Sequence, residues 1–296
     1  MRRTAAVAAA GLALVATALT VRPDGARAQP GIEIHKVDEG HFSPVPDKPV
    51  FVLVVGLDGG RPGIDGDRAD AIHLIGVNAA AGAGTMLNIP RDAFVAIPGR
   101  GQSKINDAYY YGGPGLMAET VEALTGADVA FVLAARFGPF ENLVNEAGGV
   151  PVDVPIPMKD KNSGADFPQG RVDMDGRAAL AFARNRYIPG GDFRRSEHQG
   201  LLILSALTKL RAENPGATGV ARYLGILGRN VEITGVTPLE LYRLGRLALT
   251  IDPAKVRSVT MPGQVGQARG LSVVLVAGGA VGLFADLRDD AVLQAH

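Results

Sequence analysis

Val50-Phe51-Val52-Leu53-Val54-Val55 is an unbroken run of β-branched and apolar residues closed by Gly56, and it constrains the fold more than any other segment. A strand without polar alternation has to be covered on both faces. Ile72 to Val77 and Thr85 to Ile89 read as two further strands, the second closed by Pro90. Val129 to Leu133, Val150 to Val154, Lys255 to Met261 and Ser272 to Val276 carry the same signal. Helical segments fall between them. Pro114 to Leu124 follows Gly113 with proline at the first helical position, and Pro139 to Glu146 precedes the turn Gly148-Gly149. Asp175 is placed to cap a helix over Gly176 to Arg184. A longer helix runs from about Arg195 to Ala212, with Leu202, Ile203, Ala206, Leu207 and Leu210 at helical spacing. Thr237-Pro238-Leu239-Glu240 is a capping box that opens another toward Leu249. This alternation predicts an α/β fold: a mixed central β-sheet flanked by helices on both faces, in a single main domain.

The ends of the chain read differently. Arg2 and Arg3 precede an uncharged stretch, Ala5 to Val21, and Ala26-Arg27-Ala28 offers a small-x-small cleavage site. Residues 1–28 are therefore a signal peptide or, if uncleaved, an N-terminal anchor, and either places the remainder outside the cytoplasm, in the cell envelope. Residues 29–49, with Pro30, Pro44, Pro46 and Pro49, read as an irregular lead-in. The main domain then occupies 50–213. Residues 214–296 are its C-terminal part or a small subdomain.

Charge and cysteine content exclude several functions. The chain has 30 basic and 30 acidic residues; without residues 1–28, which carry Arg2, Arg3, Arg22, Arg27 and Asp24, the balance is 26 against 29. That is not the basic excess of a nucleic-acid binder, so no nucleic-acid partner is expected. No cysteine is present, which removes disulfides, thiolate metal sites and cysteine nucleophiles together. The histidines at 35, 41, 73, 198 and 296 form no ligand motif, and His73, inside a strand, reads as packed. No Walker loop, G-x-S-x-G or H-E-x-x-H occurs.

What remains is acids and arginines. Asp58 follows the first core strand in Gly56-Leu57-Asp58-Gly59-Gly60, and Asp70 precedes the second in Arg68-Ala69-Asp70. Each reads alone as a turn or loop acid, but at neighbouring strand ends the pair could share a divalent cation, and hard oxygens suit Mg²⁺. Arg91 follows strand and proline in Asn88-Ile89-Pro90-Arg91-Asp92, where it could equally pair with Asp92 at the surface. Arg184 and Arg186 can converge only if their helix ends near Arg184, because positions two apart do not share a helical face. Asp192, Arg195 and Gln199 are spaced three and four apart at a helix start, where arginine forks and the helix N-terminus both favour phosphate, although an ordinary i,i+3 ion pair fits the same spacing. Carboxylates and guanidiniums without a nucleophile are the chemistry of phosphate rather than of carbonyls.

At these residues the sequence resembles the LytR-CpsA-Psr family of envelope phosphotransferases. The likeness runs from Phe51 to about Leu210 and more loosely to the end. Gly56-Leu57-Asp58 and Arg68-Ala69-Asp70 look like the two acidic motifs of that family. Asn88-Ile89-Pro90-Arg91-Asp92, Ile97-Pro98-Gly99 and Lys104-Ile105-Asn106 with Tyr109, Gly112 and Gly113 follow in order. Gly148-Gly149-Val150, Asp175-Gly176, Ala179-Leu180, Arg184-x-Arg186 and Asp192-Phe193-x-Arg195 with Gln199 complete the series. The resemblance implies Asp58 and Asp70 as Mg²⁺ carboxylates. It implies Arg68, Arg91, Arg184, Arg186, Arg195 and Gln199 as ligands of the pyrophosphate of a polyprenyl-linked glycan. Asp192 would either orient these arginines or assist in deprotonating the acceptor. The implied catalytic set is Asp58, Asp70, Arg91 and Asp192.

The reaction so implied is attack by a peptidoglycan hydroxyl on the glycan-side phosphorus, with the membrane surface involved through the lipid carrier. A non-catalytic polyprenyl-phosphate binder and a pyrophosphate hydrolase remain open on the same groups. Departures from the family pattern are Leu57 where serine is usual, Arg61 displaced from its expected position, Ala71 after Asp70, and His198 in place of an arginine before the glutamine. A lipid channel is expected from the resemblance, but no apolar pattern locates it.

Overall fold

The apolar run at residues 50–55 lies in the middle of the central sheet, and both of its faces are covered. The computed structural model describes residues 32–37, 48–59, 66–213 and 231–294, with 216, 219, 222–223 and 225–226 between them. The expected export segment, residues 1–28, and Arg61 lie outside the described residues.

The strands in chain order are β1 Ile32–Lys36, β2 Val50–Leu57, β3 Ala69–Asn78, β4 Ala83–Asn88, β5 Phe94–Ile97, β6 Gly101–Lys104, β7 Val129–Arg136, β8 Val150–Val154, β9 Met158–Asp160, β10 Ala165–Phe167, β11 Gly170–Met174, β12 Val231–Thr234, β13 Val256–Thr260, β14 Gly263–Ala268 and β15 Leu271–Val276. The helices are α1 Asp107–Thr125, α2 Phe137–Glu146, α3 Gly176–Arg184, α4 Gly191–Ala212, α5 Pro238–Thr250 and α6 Gly279–Asp290. Seven strands form the central sheet in the order β12-β1-β7-β2-β3-β4-β13. Pairings β1–β12, β2–β7 and β4–β13 are parallel, and β1–β7, β2–β3 and β3–β4 antiparallel. The sheet is mixed and the fold is a single domain, as the alternation of segments predicts.

Alternate residues of β2 explain the layering. Phe51, Leu53, Val55 and Leu57 pack with Met117, Ala118 and Val121 of α1 and with Phe284 and Leu287 of α6. Val50 and Val52 face the other way, with Phe131 of β7 and Leu244 and Leu247 of α5. Together the two layers leave Leu53, Val55 and Leu57 with no exposed surface. Removing apolar area of this extent from water on both faces is the main stabilising term of such a sheet. A third cluster joins α3 and α4 to β8, β9 and β11 through Phe182, Leu202, Val152, Met158 and Met174.

Three expectations change. Residues 29–49, read as irregular, contain β1, which sits inside the central sheet between β12 and β7. Val150–Val154 and Ser272–Val276 are extended as expected, but they pair with β11 and β14 in separate two-stranded units rather than in the main sheet. The helix expected from Pro114 begins earlier, at Asp107, with a break in which Gly112 and Gly113 leave helical geometry. Pro114 therefore does open a fresh helical segment, where its missing N–H is no loss. The two caps form as their sequences require. The Asp175 side chain accepts from the Ala178 amide, and Thr237 and Glu240 satisfy each other's backbone N–H groups.

Two contacts fix α4 over the sheet. Lys209 Nζ donates to the carbonyl oxygens of Ala147, Gly148 and Gly149 at 2.6, 2.9 and 2.8 Å, tying α4 to the turn that ends α2. At Gly200 the helix comes so close to β4 and β13 that an added Cβ would lie 2.8 Å from Asn88 Oδ1, 3.0 Å from Met86 Sδ and 3.2 Å from Ser258 Oγ. Gly200→Ala is expected to destabilise the fold by about 1–3 kcal/mol through this overpacking. Urea unfolding of the two proteins measures it, and an unchanged midpoint would contradict the close approach.

Candidate phosphate-binding site

β2 and β3 are antiparallel, with Leu57 opposite Ala69, so Asp58 and Asp70 meet at one end of the sheet. The two segments are pinned to each other. The Asp58 amide donates to the Arg68 carbonyl at 3.1 Å, and the Arg68 amide donates to Asp58 Oδ1 at 3.0 Å. β4 runs antiparallel to β3 and ends at Asn88, which carries Arg91 to the same end. Arg91 Nη1 donates to Asp70 Oδ1 at 2.6 Å. The expected alternative partner, Asp92, lies 3.9 Å from Arg91 Nε and is instead engaged by Lys104 at 2.8 Å.

The α3–α4 connection supplies the remaining arginines. α3 ends at Arg184, the condition under which Arg184 and Arg186 can converge, and both border one cavity. Arg186 lies 3.6 Å from Asp70 Oδ2 and 3.7 Å from Asp192 Oδ1. Asp192, in the first turn of α4, also lies 3.6 Å from Arg91 Nε and 3.5 Å from Arg195 Nη1. A carboxylate there also complements the positive end of the helix dipole. Arg195 is 2% exposed and donates to the Asp70 carbonyl at 3.3 Å. Gln199, one turn further along α4, donates to the Ala183 carbonyl at 3.0 Å.

Asp58, Asp70, Arg91, Arg184, Arg186, Arg195 and Gln199 all line a single cavity of about 820 Å³. Arg68 does not. Its guanidinium reaches Asp107 at 3.3 Å and lies 5.7 Å from the ring centre of Tyr110, while its backbone amide and carbonyl both bond to Asp58. The cavity wall also has an apolar portion, Ala135, Phe137, Phe140, Leu180, Leu202 and Ile203, and the polar residues Asp160, Asn162, Ser163 and Tyr187. Arg184 lies 5.0 Å from the ring centre of Phe137, where the two characters meet. In the sequence these apolar residues are indistinguishable from core positions of α2, α3 and α4, because helical spacing marks a buried face without saying what buries it.

The electrostatics follow from burial and crowding. Burial pulls the Arg195 pKa down to about 10, Arg91 and Arg186 pull the same way, and Asp192 and Asp70 oppose them. Burial also acts against the charge on Arg91, but Asp70, Asp192 and Asp92 outweigh it and hold its pKa above the ordinary value. The Nε atoms of Arg91 and Arg195 are buried without a hydrogen-bond partner. Buried groups of this kind are expensive unless a ligand or water completes them. Among the described residues no three His, Cys, Asp or Glu side chains cluster as a metal site. Three carboxylates line the cavity, Asp58, Asp70 and Asp160, and oxygen donors of this kind suit a hard ion that takes few protein ligands and fills its shell from phosphate and water.

Two histidines are buried neutral. His73, on β3, donates from Nδ1 to Asn88 Oδ1 at 2.8 Å, and burial lowers its pKa to about 4. His198 stacks on Phe182 at 5.1 Å, with neither ring nitrogen hydrogen-bonded, and burial with a contribution from Arg194 takes its pKa to about 4.

The LytR_cpsA_psr family model matches residues 23–283. The polyisoprenyl-teichoic acid–peptidoglycan teichoic acid transferase TagU of Enterococcus faecalis is 33% identical over 183 residues, 61% of this chain and 58% of that protein. The enzyme of the same name from Oceanobacillus iheyensis is 33% identical over 221 residues, 72% of this chain and 66% of its own length. The chain thus spans less than two thirds of either relative. Bacillus subtilis TagT has the same fold, with a TM-score of 0.66 at 24% identity over 85% of this chain and 94% of that one. A structure of TagT with bound octaprenyl pyrophosphate gives a TM-score of 0.65 at 23% identity, covering 91% of this chain and 99% of that one.

Because the unfolded chain takes up a proton at His198 near pH 6.5 and the folded chain refuses it until about 4, stability is expected to fall as pH drops through that window. The slope is at most about 1.4 kcal/mol per pH unit for each such group. His198→Phe, which keeps the stack on Phe182, should unfold at the same or higher urea concentration at pH 7.5 and lose less stability than the parent at pH 5. Equal losses in both proteins would mean that His198 is not buried neutral.

Proposed function

The chain belongs to the LytR-CpsA-Psr family, and from that premise we propose that it transfers a glycopolymer from a polyprenyl-pyrophosphate carrier to a peptidoglycan hydroxyl, forming a phosphodiester. The observation that carries this reading is the two-sided chemistry of one cavity's lining, which combines arginines and carboxylates with aromatic and aliphatic side chains. A diphosphate joined to an isoprenoid chain has the same two-sided character. The names of the two relatives and the octaprenyl pyrophosphate in the TagT structure support the assignment.

In this reading Arg91, Arg184, Arg186 and Arg195 hold the diphosphate oxygens, and Phe137, Phe140, Leu180, Leu202 and Ile203 cover the first part of the lipid. The acceptor hydroxyl attacks the glycan-side phosphorus. The bond from that phosphorus to the bridging oxygen breaks, polyprenyl phosphate leaves with the electron pair, and the hydroxyl proton passes to the leaving phosphate or to water. Such transfers depend chiefly on positioning and charge stabilisation, which fixed guanidiniums provide without reorganisation. Asp192, within 3.5–3.7 Å of three arginines, serves to orient them; that contact set favours orientation over removal of the acceptor proton. Asp58 and Asp70 would hold Mg²⁺ against the diphosphate, adding positive charge where the bridging oxygen becomes negative. The acceptor and the lipid carrier place the work in the cell envelope, at the membrane face away from the cytoplasm, in keeping with residues 1–28 as an export signal or anchor. Among the described residues no helix is long and apolar enough to cross a membrane.

Incubation with a polyprenyl-pyrophosphoryl glycan, Mg²⁺ and wall fragments tests the proposal. Glycan joined to wall is the expected product. Free phosphorylated glycan would make the protein a hydrolase, and unchanged lipid held tightly would make it a binder. Arg91→Ala and Asp70→Ala should each lower transfer at least about 100-fold while leaving the circular dichroism spectrum and chromatographic elution unchanged. Full transfer by either folded variant would contradict the roles assigned to Arg91 and Asp70.

A further inference from the structure

We propose that the cavity carries a subsite for the sugar attached to the diphosphate, built from Tyr187 on one rim and the tip Asn162-Ser163 on another. This deepens the transferase reading and rests on it. All three residues line the same cavity as Arg184 and Arg186. None belongs to the charged group described above.

Both rims show the same construction, a buried polar side chain holding the backbone under an exposed one. Asn185 has no exposed surface, and its Oδ1 accepts the Tyr187 amide at 2.9 Å. The next residue, Ile188, is buried in the cluster formed by α3 and α4. The chain on either side of Tyr187 is therefore fixed, yet the residue itself is 69% exposed. On the other rim, Asp160 is 6% exposed, and its carboxylate accepts the amides of Asn162 at 2.9 Å and Ser163 at 3.2 Å. The Gly164 amide closes the turn on the Asp160 carbonyl at 2.9 Å, with Gly164 at φ +80°, which favours glycine. This presents the exposed Asn162 side chain at the cavity edge.

An exposed aromatic ring together with a carboxamide suits a neutral sugar ring. The negative face of the tyrosine ring attracts the polarised C–H groups of one face of a pyranose. The Asn162 carboxamide both donates and accepts, so it matches ring hydroxyls whose roles alternate, while the Ser163 hydroxyl accepts the Ala165 amide at 3.3 Å and braces the turn. A site fixed before binding also loses little entropy when it is filled. The position suits the substrate, because Tyr187 directly follows Arg186 in sequence, and the sugar directly follows the diphosphate in the lipid-linked glycan. An aromatic ring at a cavity mouth could alternatively rest in the membrane interface, and the experiment separates the two.

Binding of two detergent-solubilised lipids is measured for the full-length chain: octaprenyl pyrophosphate, and octaprenyl pyrophosphate carrying one N-acetylhexosamine. The parent protein should bind the sugar-bearing lipid more tightly. Tyr187→Ala should weaken that lipid about three- to tenfold, the range of an aromatic contact, and leave the sugar-free lipid within about twofold. Tyr187→Phe should behave as the parent does, and Asn162→Ala should lose a smaller part of the same preference. Equal weakening of both lipids by Tyr187→Ala overturns the subsite and assigns the ring to the carrier or the membrane. Equal affinity of the parent for the two lipids also overturns it. Failure of the parent to bind either lipid instead removes the transferase reading on which the subsite stands.

Discussion

Guanidinium groups repel one another, and this site gathers several around one cavity. Two carboxylates make that possible. Asp70 takes Arg91 at 2.6 Å and Arg186 at 3.6 Å, and Asp192 lies between Arg91, Arg186 and Arg195. The buried position of Arg195 raises the stakes, because a desolvated guanidinium without such partners would disrupt the fold. In the proposed reading a diphosphate supplies the missing negative charge and lowers the cost of this crowding. The cavity is thus poised for an anion rather than merely decorated with basic residues.

Strand order brings the groups together. Asp58 and Asp70 meet because β2 and β3 form an antiparallel pair, and Arg91 joins them because β4 runs back alongside β3. α4 then has to descend onto the sheet closely enough for Arg195 and Gln199 to reach the same end. Gly200 permits that approach, and Lys209 holds the far part of the helix on the turn after α2. The apolar wall is a by-product of the same packing, since α2, α3 and α4 all contribute side chains to the cavity.

Much of this is legible in the sequence wherever a residue states its own environment. An uninterrupted apolar strand demands two covering layers, and the Asp175 and Thr237 caps declare the starts of α3 and α5. Residues whose meaning lies in a distant partner are not legible. β1 is a five-residue strand with Glu33, His35 and Lys36 in it, and nothing local distinguishes it from a polar linker until β7 and β12 pair with it. Val150–Val154 and Ser272–Val276 carry strand propensity that is silent about which sheet they join. Arg68 belongs to the motif by position, yet its side chain turns to Asp107 and Tyr110. The cavity wall is hidden for a related reason: Leu180, Leu202 and Ile203 have the spacing of ordinary core residues.

The most direct test of a diphosphate held by these arginines is a crystal structure of this chain grown with octaprenyl pyrophosphate and Mn²⁺, whose anomalous signal locates the ion. The expected result is diphosphate oxygens among Arg91, Arg184, Arg186 and Arg195, a metal peak touching Asp58 and Asp70, and the lipid against Phe137, Phe140 and Leu202. A diphosphate bound elsewhere, with the four arginines still paired only to Asp70 and Asp192, would contradict it.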